Sequence, residues 1–207
     1  MRKRVFLRQM RQLSVQLRDV SVLDVGSGTG FWLNMWKSVG VPKVVGSDLT
    51  HFAATNLRKE NPGVEILELD IADSDAVGRI TERFDLISAF DVLFHITKEA
   101  NFTRAISNIA SLLRPGGYFL FSDNLLHTRA RRAVHEVDRT LQDYTRELEA
   151  HKLIICSRVP VFVVMNTPVD FPFEFPQLAW RLLVARCVLC ICWDTYMEQS
   201  CSALTLG

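Results

Sequence analysis

Two rhythms of apolar residues alternate along the chain. Short apolar runs read as buried strands, and stretches with apolar residues every three or four positions read as helices. Residues 2–18 predict an amphipathic helix with Val5, Phe6, Met10, Leu13 and Leu17 on its apolar face. The run 20–25 predicts the first strand. It leads into Gly26-Ser27-Gly28-Thr29-Gly30, after which Phe31 to Trp36 has helical spacing. A second strand is predicted over 41–46, running on to Asp48, then a helix over 51–60 that stops at Asn61-Pro62-Gly63. The third strand, 64–69, ends at Asp70-Ile71-Ala72-Asp73, where Asp73 and Asp75 are placed to start the next helix. The fourth, 84–90, is followed by Asp91 to Ile96. A helix over 98–113 precedes a turn at 114–117 and a fifth strand at 118–122.

Beyond residue 123 the pattern predicts a charged amphipathic helix over 128–148. A sixth strand follows over 153–165, then a proline- and phenylalanine-rich lid over 168–176 and an apolar helix over 177–197. His127 lies just past the fifth strand, at the end where open α/β sheets bind their ligands.

A strand, a glycine turn and a helix start form a cradle. Glycine allows positive φ and close approach, and the helix N-terminus favours a carboxylate or phosphate. Two readings of the cradle compete. In the dinucleotide fingerprint G-x-G-x-x-G the third glycine would fall at 31, which is Phe. The other reading takes in the acidic residue two places earlier, giving Asp24-x-Gly26-x-Gly28-x-Gly30. Asp48, one strand–helix–strand unit later, suits a ribose diol in either case, or serves only as a turn aspartate.

That second pattern resembles motif I of the class I S-adenosylmethionine-dependent methyltransferases. Further segments match in order. Phe84-Asp85-Leu86-Ile87 resembles the entry to motif IV, and Leu113-Arg114-Pro115-Gly116-Gly117-Tyr118 resembles the signature before strand five. The resemblance covers residues 20–123 and implies a Rossmann-like, doubly wound, mostly parallel α/β sheet with helices on both faces. It implies S-adenosylmethionine as cofactor and S-adenosylhomocysteine as product. By the same resemblance Asp24, Gly26, Ser27, Gly28 and Gly30 would hold the methionine part. Asp48 and Leu49 would sit at the ribose, Asp70 and Ile71 at the adenine, and Phe90 near the transferring centre. The Asn-Pro-Pro-Tyr and Pro-Cys motifs of base-methylating enzymes are missing, which points to a small-molecule acceptor, a sugar or natural product methylated on O or N. Transfer to a hydroxyl gains from a base, for which His127 is the first candidate and His95 the second.

In this reading the 207 residues form one domain: an N-terminal helix over 1–19, a cofactor-binding core over 20–123 and a substrate-side segment over 124–207. The family's sheet has seven strands, and only 203–206 remains for the last. That strand is therefore expected to be short or missing, with the chain truncated before it, or to be supplied by a neighbouring molecule, as in a homodimer.

Charge and cysteines change this picture little. A net charge of +1 gives no global reason to expect a nucleic-acid partner. The basic N-terminal helix reads as a solvated face before an RNA or membrane contact. No apolar run is long enough to span a bilayer. Four of the five cysteines lie from Cys187 onward; Cys187, Cys190 and Cys192 read as buried thiols on an apolar helix with no metal, and the cysteine usage as that of a reducing cytoplasm. Three other functions compete: a dinucleotide oxidoreductase, a non-catalytic adenosylmethionine-binding scaffold, and an RNA methyltransferase using the basic helix.

Overall fold

The computed structural model describes residues 2–126 and 131–159. Strands β1 (Ser21–Val25), β2 (Lys43–Asp48), β3 (Glu65–Glu68), β4 (Phe84–Phe90) and β5 (Leu113–Ser122) form one parallel sheet in the order β3-β2-β1-β4-β5. The chain builds outward from β1 to β3 and then returns to the other side of β1. The gap between β1 and β4 is therefore the topological switch point, where open sheets take their ligands.

Helices cover both faces, because alternate strand residues point opposite ways. On one face α1 (Arg2–Gln12) and α2 (Phe31–Ser38) pack through Phe6, Met10, Met35 and Trp36 onto Val22 and Leu86. Beside them α3 (His51–Glu60) places Ala54 and Leu57 with Leu33 and Ile66. On the other face α4 (Ser74–Gly78), α5 (Glu99–Leu112) and α6 (Leu141–Ala150) bury Val77, Phe102, Ile106, Tyr144 and Leu148 against Leu23, Val25, Ile87 and Ala89. This is the doubly wound α/β architecture.

Several boundaries differ from the pattern-based expectation. Helix α1 stops at Gln12 instead of 18, and Ser14 then takes a φ of 55°. Strand β5 begins at Leu113, taking in the expected turn at 114–117. Leu113 pairs with Phe84, and the register shifts before Leu86 meets Tyr118. Gly117 makes this possible: a Cβ there would lie 2.8 Å from the Asp85 carbonyl oxygen. Arg114 donates to the Asp85 carboxylate at 2.6 Å, and that carboxylate also takes the Ser21 backbone N–H and hydroxyl. One acidic side chain thus ties together the starts of β1, β4 and β5.

The expected single helix over 128–148 is replaced by a hairpin of β6 (Arg131–Arg132) and β7 (Val137–Asp138) followed by α6. The physical reason is the capping box: the Thr140 hydroxyl accepts from the Asp143 N–H, and the Asp143 carboxylate accepts from the Thr140 N–H. His135, expected on a helix, lies between the two short strands. Residues 153–159 form no strand, unlike the expected sixth strand, whose remainder lies outside the described residues. The lid, the apolar helix, the cysteines from Cys187 onward and the expected last strand also lie outside them. Among the described residues no helix is long and apolar enough to cross a membrane.

Candidate cofactor site

The cradle is built at the carboxyl end of β1. Gly26, Gly28 and Gly30 all have positive φ, at 67°, 53° and 78°. At Gly26 the requirement is double, because an added Cβ would lie 2.4 Å from Cγ2 of Val92. Val92 arrives from the tip of β4, so the turn passes beneath the β4 tip with no room for a side chain. Helix α2 starts at Gly30 with no side-chain cap, leaving its first-turn N–H groups to an anion.

Beneath the turn Asp24 is buried in a hydrogen-bond chain. The Trp36 indole donates to the Ser88 hydroxyl at 3.1 Å, which donates to the Asp24 carboxylate at 2.6 Å. The Ser27 hydroxyl donates to the other carboxylate oxygen at 2.9 Å. Burial pushes the Asp24 carboxyl up to about 6, against the opposing hydrogen bonds from Ser88 and Ser27. Asp24 and Ser27 are therefore in contact, and their contact holds the turn against the sheet.

Asp48, at the end of β2, reaches the turn directly. One carboxylate oxygen accepts the Gly28 N–H at 3.0 Å, and the other accepts from the N–H and hydroxyl of Thr50. Its neighbour Leu49 is 64% exposed beside it, and Phe52 on α3 is also exposed. Past β3, Asp70 caps its own turn by accepting the Ala72 N–H at 2.8 Å, while Ile71 is buried and its carbonyl accepts from Asn108. The backbone of Leu69 donates to the Asp48 carbonyl, which joins the β2 and β3 ends. Hence the glycine turn, Asp48 and Asp70 line the ends of β1, β2 and β3 in order.

Phe90 closes β4 and stacks on Trp32 with centroids 4.0 Å apart, and Phe6 stands edge-on to it. Asp91 follows with a φ of 59°. Its N–H donates to the Ser122 hydroxyl oxygen, and that hydroxyl donates to its carboxylate. His95 lies in a short 3₁₀ turn (Leu93–His95), exposed, with its ring packed beside Phe94. The first base candidate, His127, lies outside the described residues.

Sequence reasoning missed Ser88, Trp36, Val92 and Thr50. Ser88 did leave a signal, as the one hydroxyl within the apolar run of β4. Val92 left none, because only the crossover from β1 to β4 brings it over Gly26. Among the described residues no group of histidine, cysteine or carboxylate side chains could hold a metal ion.

A glycine turn at the switch point, with acidic residues ending the next two strands, defines the class I S-adenosylmethionine-dependent methyltransferase architecture. A family model described as a methyltransferase domain matches residues 1–159, and the chain belongs to that family. No relative among the curated proteins matches. Solved structures do. The O-methyltransferase of a trans-AT polyketide synthase multienzyme from Brevibacillus brevis, in complex with S-adenosyl-L-homocysteine, is 26% identical. It superposes with a TM-score of 0.56 over 72% of this chain, which spans only 54% of that one. A methyltransferase from Clostridium acetobutylicum, S-adenosylmethionine-dependent, is 15% identical with a TM-score of 0.57, covering 75% of this chain and 80% of that one. The sugar N-methyltransferase KedS8 from Streptoalloteichus is 17% identical with a TM-score of 0.55, covering 72% of this chain and 77% of that one.

Proposed function

We propose that this chain transfers the methyl group of S-adenosylmethionine to an O or N atom of a small metabolite such as a sugar or natural product. The observation that carries the reading is the hydrogen bond from the Gly28 N–H to the Asp48 carboxylate. It joins the glycine turn to the ribose-binding acid in one cradle. The residues suit the cofactor: the uncapped start of α2 for its carboxylate, Asp48 for the ribose hydroxyls, and Asp70 with Ile71 for the adenine. When bound, the sulfonium supplies an electrophilic methyl group. The chain's own residues then contribute orientation, which lowers the barrier without covalent chemistry. Asp24 acts here by holding Ser27 and the turn, with any contact to the cofactor's ammonium made from that buried position. Phe90 and Trp32 wall the cradle on the α1 side. The cysteine usage of the sequence suits a reducing cytoplasm.

The test is isothermal titration of the purified chain with S-adenosylhomocysteine and with NAD, alongside mass-detected methyl transfer to hydroxyl and amine acceptors. Binding of the adenosyl ligand alone is expected. Asp48→Ala should weaken it by ~1–3 kcal/mol, the scale for losing a buried polar partner. Tight NAD binding, or an Asp48→Ala chain with unaltered affinity, would overturn the reading.

A further inference from the structure

The ends of β1, β2 and β3 are taken by the cofactor cradle, which leaves the ends of β4 and β5 for the acceptor. These two ends are fastened together. Phe90 pairs with Ser122, and the Ser122 hydroxyl bonds to Asp91. The residue just past β5 is Asp123, half-buried.

Its carboxylate is held from two sides. One oxygen accepts the Tyr144 hydroxyl and the other accepts the Asn124 N–H. The tyrosine ring is fully buried on α6, stacked on Phe121 at 5.0 Å and edge-on to Phe102 at 5.2 Å. A ring so packed cannot swing, so its hydroxyl fixes the carboxylate. Asn124 in turn donates its side-chain amide to Asp138. Arg139, whose charge acts on Asp123 without an ion pair, is buried and spends its donors on other groups. It donates to the Leu93 and Ile96 carbonyls, pairs with Glu99 and lies over the Phe102 ring. Among the described residues no cation forms an ion pair with Asp123. A half-buried carboxylate fixed at these strand ends favours a cationic partner.

Resting on the cofactor reading above, we propose that Asp123, positioned by Tyr144, pairs with the ammonium of a small amine acceptor and takes one of its protons. The proton passes from nitrogen to the carboxylate, leaving a neutral amine with a free lone pair. With the methyl donor bound, that lone pair takes the methyl carbon while the C–S pair stays on sulfur, and the proton leaves Asp123 for water. Methyl has then replaced one proton of the ammonium. The electrostatics agree. Burial pushes the Asp123 carboxyl up to about 6, and Asp138 adds to this while Tyr144, Asn124 and Arg139 oppose it. It is thus charged at neutral pH, yet more basic than an ordinary aspartate. The same burial and the Asp123 charge push Tyr144 far up, so it stays a donor.

The experiment uses the full chain saturated with S-adenosylhomocysteine and two probe pairs, glucosamine with glucose and benzylamine with benzyl alcohol. At pH 7.5 at least one amine should bind about tenfold tighter than its alcohol twin, the scale of a charge-assisted hydrogen bond. The preference should fade below pH 6. Asp123→Asn should erase it with affinity for S-adenosylhomocysteine unchanged. Tyr144→Phe should move the pH midpoint upward, since the carboxylate loses a donor that stabilises its charge. A merely structural tyrosine would leave the midpoint alone. Equal binding of amine and alcohol, no binding of any probe, or a preference that survives in Asp123→Asn would overturn the proposal. Failure of the wild-type chain to bind S-adenosylhomocysteine would instead overturn the cofactor reading.

Discussion

At the scale of single residues, Gly26 carries the heaviest constraint in the cradle. It combines a left-handed φ with a contact to Val92 that excludes a Cβ, whereas at Gly28, with the same kind of φ, a Cβ would meet only the Gly26 carbonyl oxygen, at 3.9 Å. Gly26→Ala should therefore cost more than the ~1–2 kcal/mol of left-handed strain expected for Gly28→Ala. Urea denaturation of the two variants gives the comparison. Asp24 yields a pH prediction. Its folded pKa of about 6 lies above the ordinary 3.8, so between these values the folded chain binds the extra proton. Its contribution to stability is complete below the lower value and is lost as pH rises through about 6. Wild type should lose stability relative to Asp24→Asn between pH 4.5 and 7, as thermal unfolding at the two pH values would reveal.

At the scale of elements, the two helices nearest the cradle are held by aromatic packing and the strand starts by charge. Phe6 joins α1 to the rest through edge-on contacts with Trp36 at 4.7 Å and Phe90 at 6.4 Å. Phe6→Ala should cost about 3 kcal/mol, the lower range for deleting a buried phenylalanine, and should loosen α1 in hydrogen exchange. On the opposite end of the sheet, burial raises the Asp85 pKa, but the hydrogen bonds from Arg114 and Ser21 outweigh it and hold the carboxyl down at about 2. The sign is opposite to that of Asp24. The clamp stabilises above the ordinary aspartate range and is lost as pH falls through about 2. Asp85→Asn should flatten the acid limb of the stability curve between pH 4 and 2. Helix α3 and strand β4 sit where their residue patterns place them, the helix ending at the stop signal Asn61-Pro62-Gly63. Strand β5 and the 128–148 stretch do not. Pairing with β4 draws Leu113 to Gly117 into the sheet, and the capping box at Thr140 sets a helix start that periodicity alone places too early.

At the scale of the whole molecule, the sheet order puts the residues proposed to hold the cofactor, from three different strand ends, along one rim. A ligand that spans this rim binds only the folded chain. Saturation with S-adenosylhomocysteine at about a hundred times its dissociation constant should therefore raise stability by about 2.7 kcal/mol. A shift of the unfolding midpoint in a thermal scan measures it, and Asp48→Ala should reduce the shift at the same ligand concentration.

The linear chain by itself determined the strand–turn–helix cradle, the acids that close β2 and β3, and the alternation that makes a doubly wound sheet. Each is written in neighbouring residues, as apolar period, glycine and cap. Only the tertiary structure decided which distant residues complete the site. Val92 over Gly26, Ser88 on Asp24, Trp36 on Ser88, and Tyr144 on Asp123 are separated by 21 to 66 positions and meet through the packing of the sheet and its helices. A contact made by strand order leaves no periodic mark in sequence, since its two halves obey separate local rules and are joined only by the packing of the sheet.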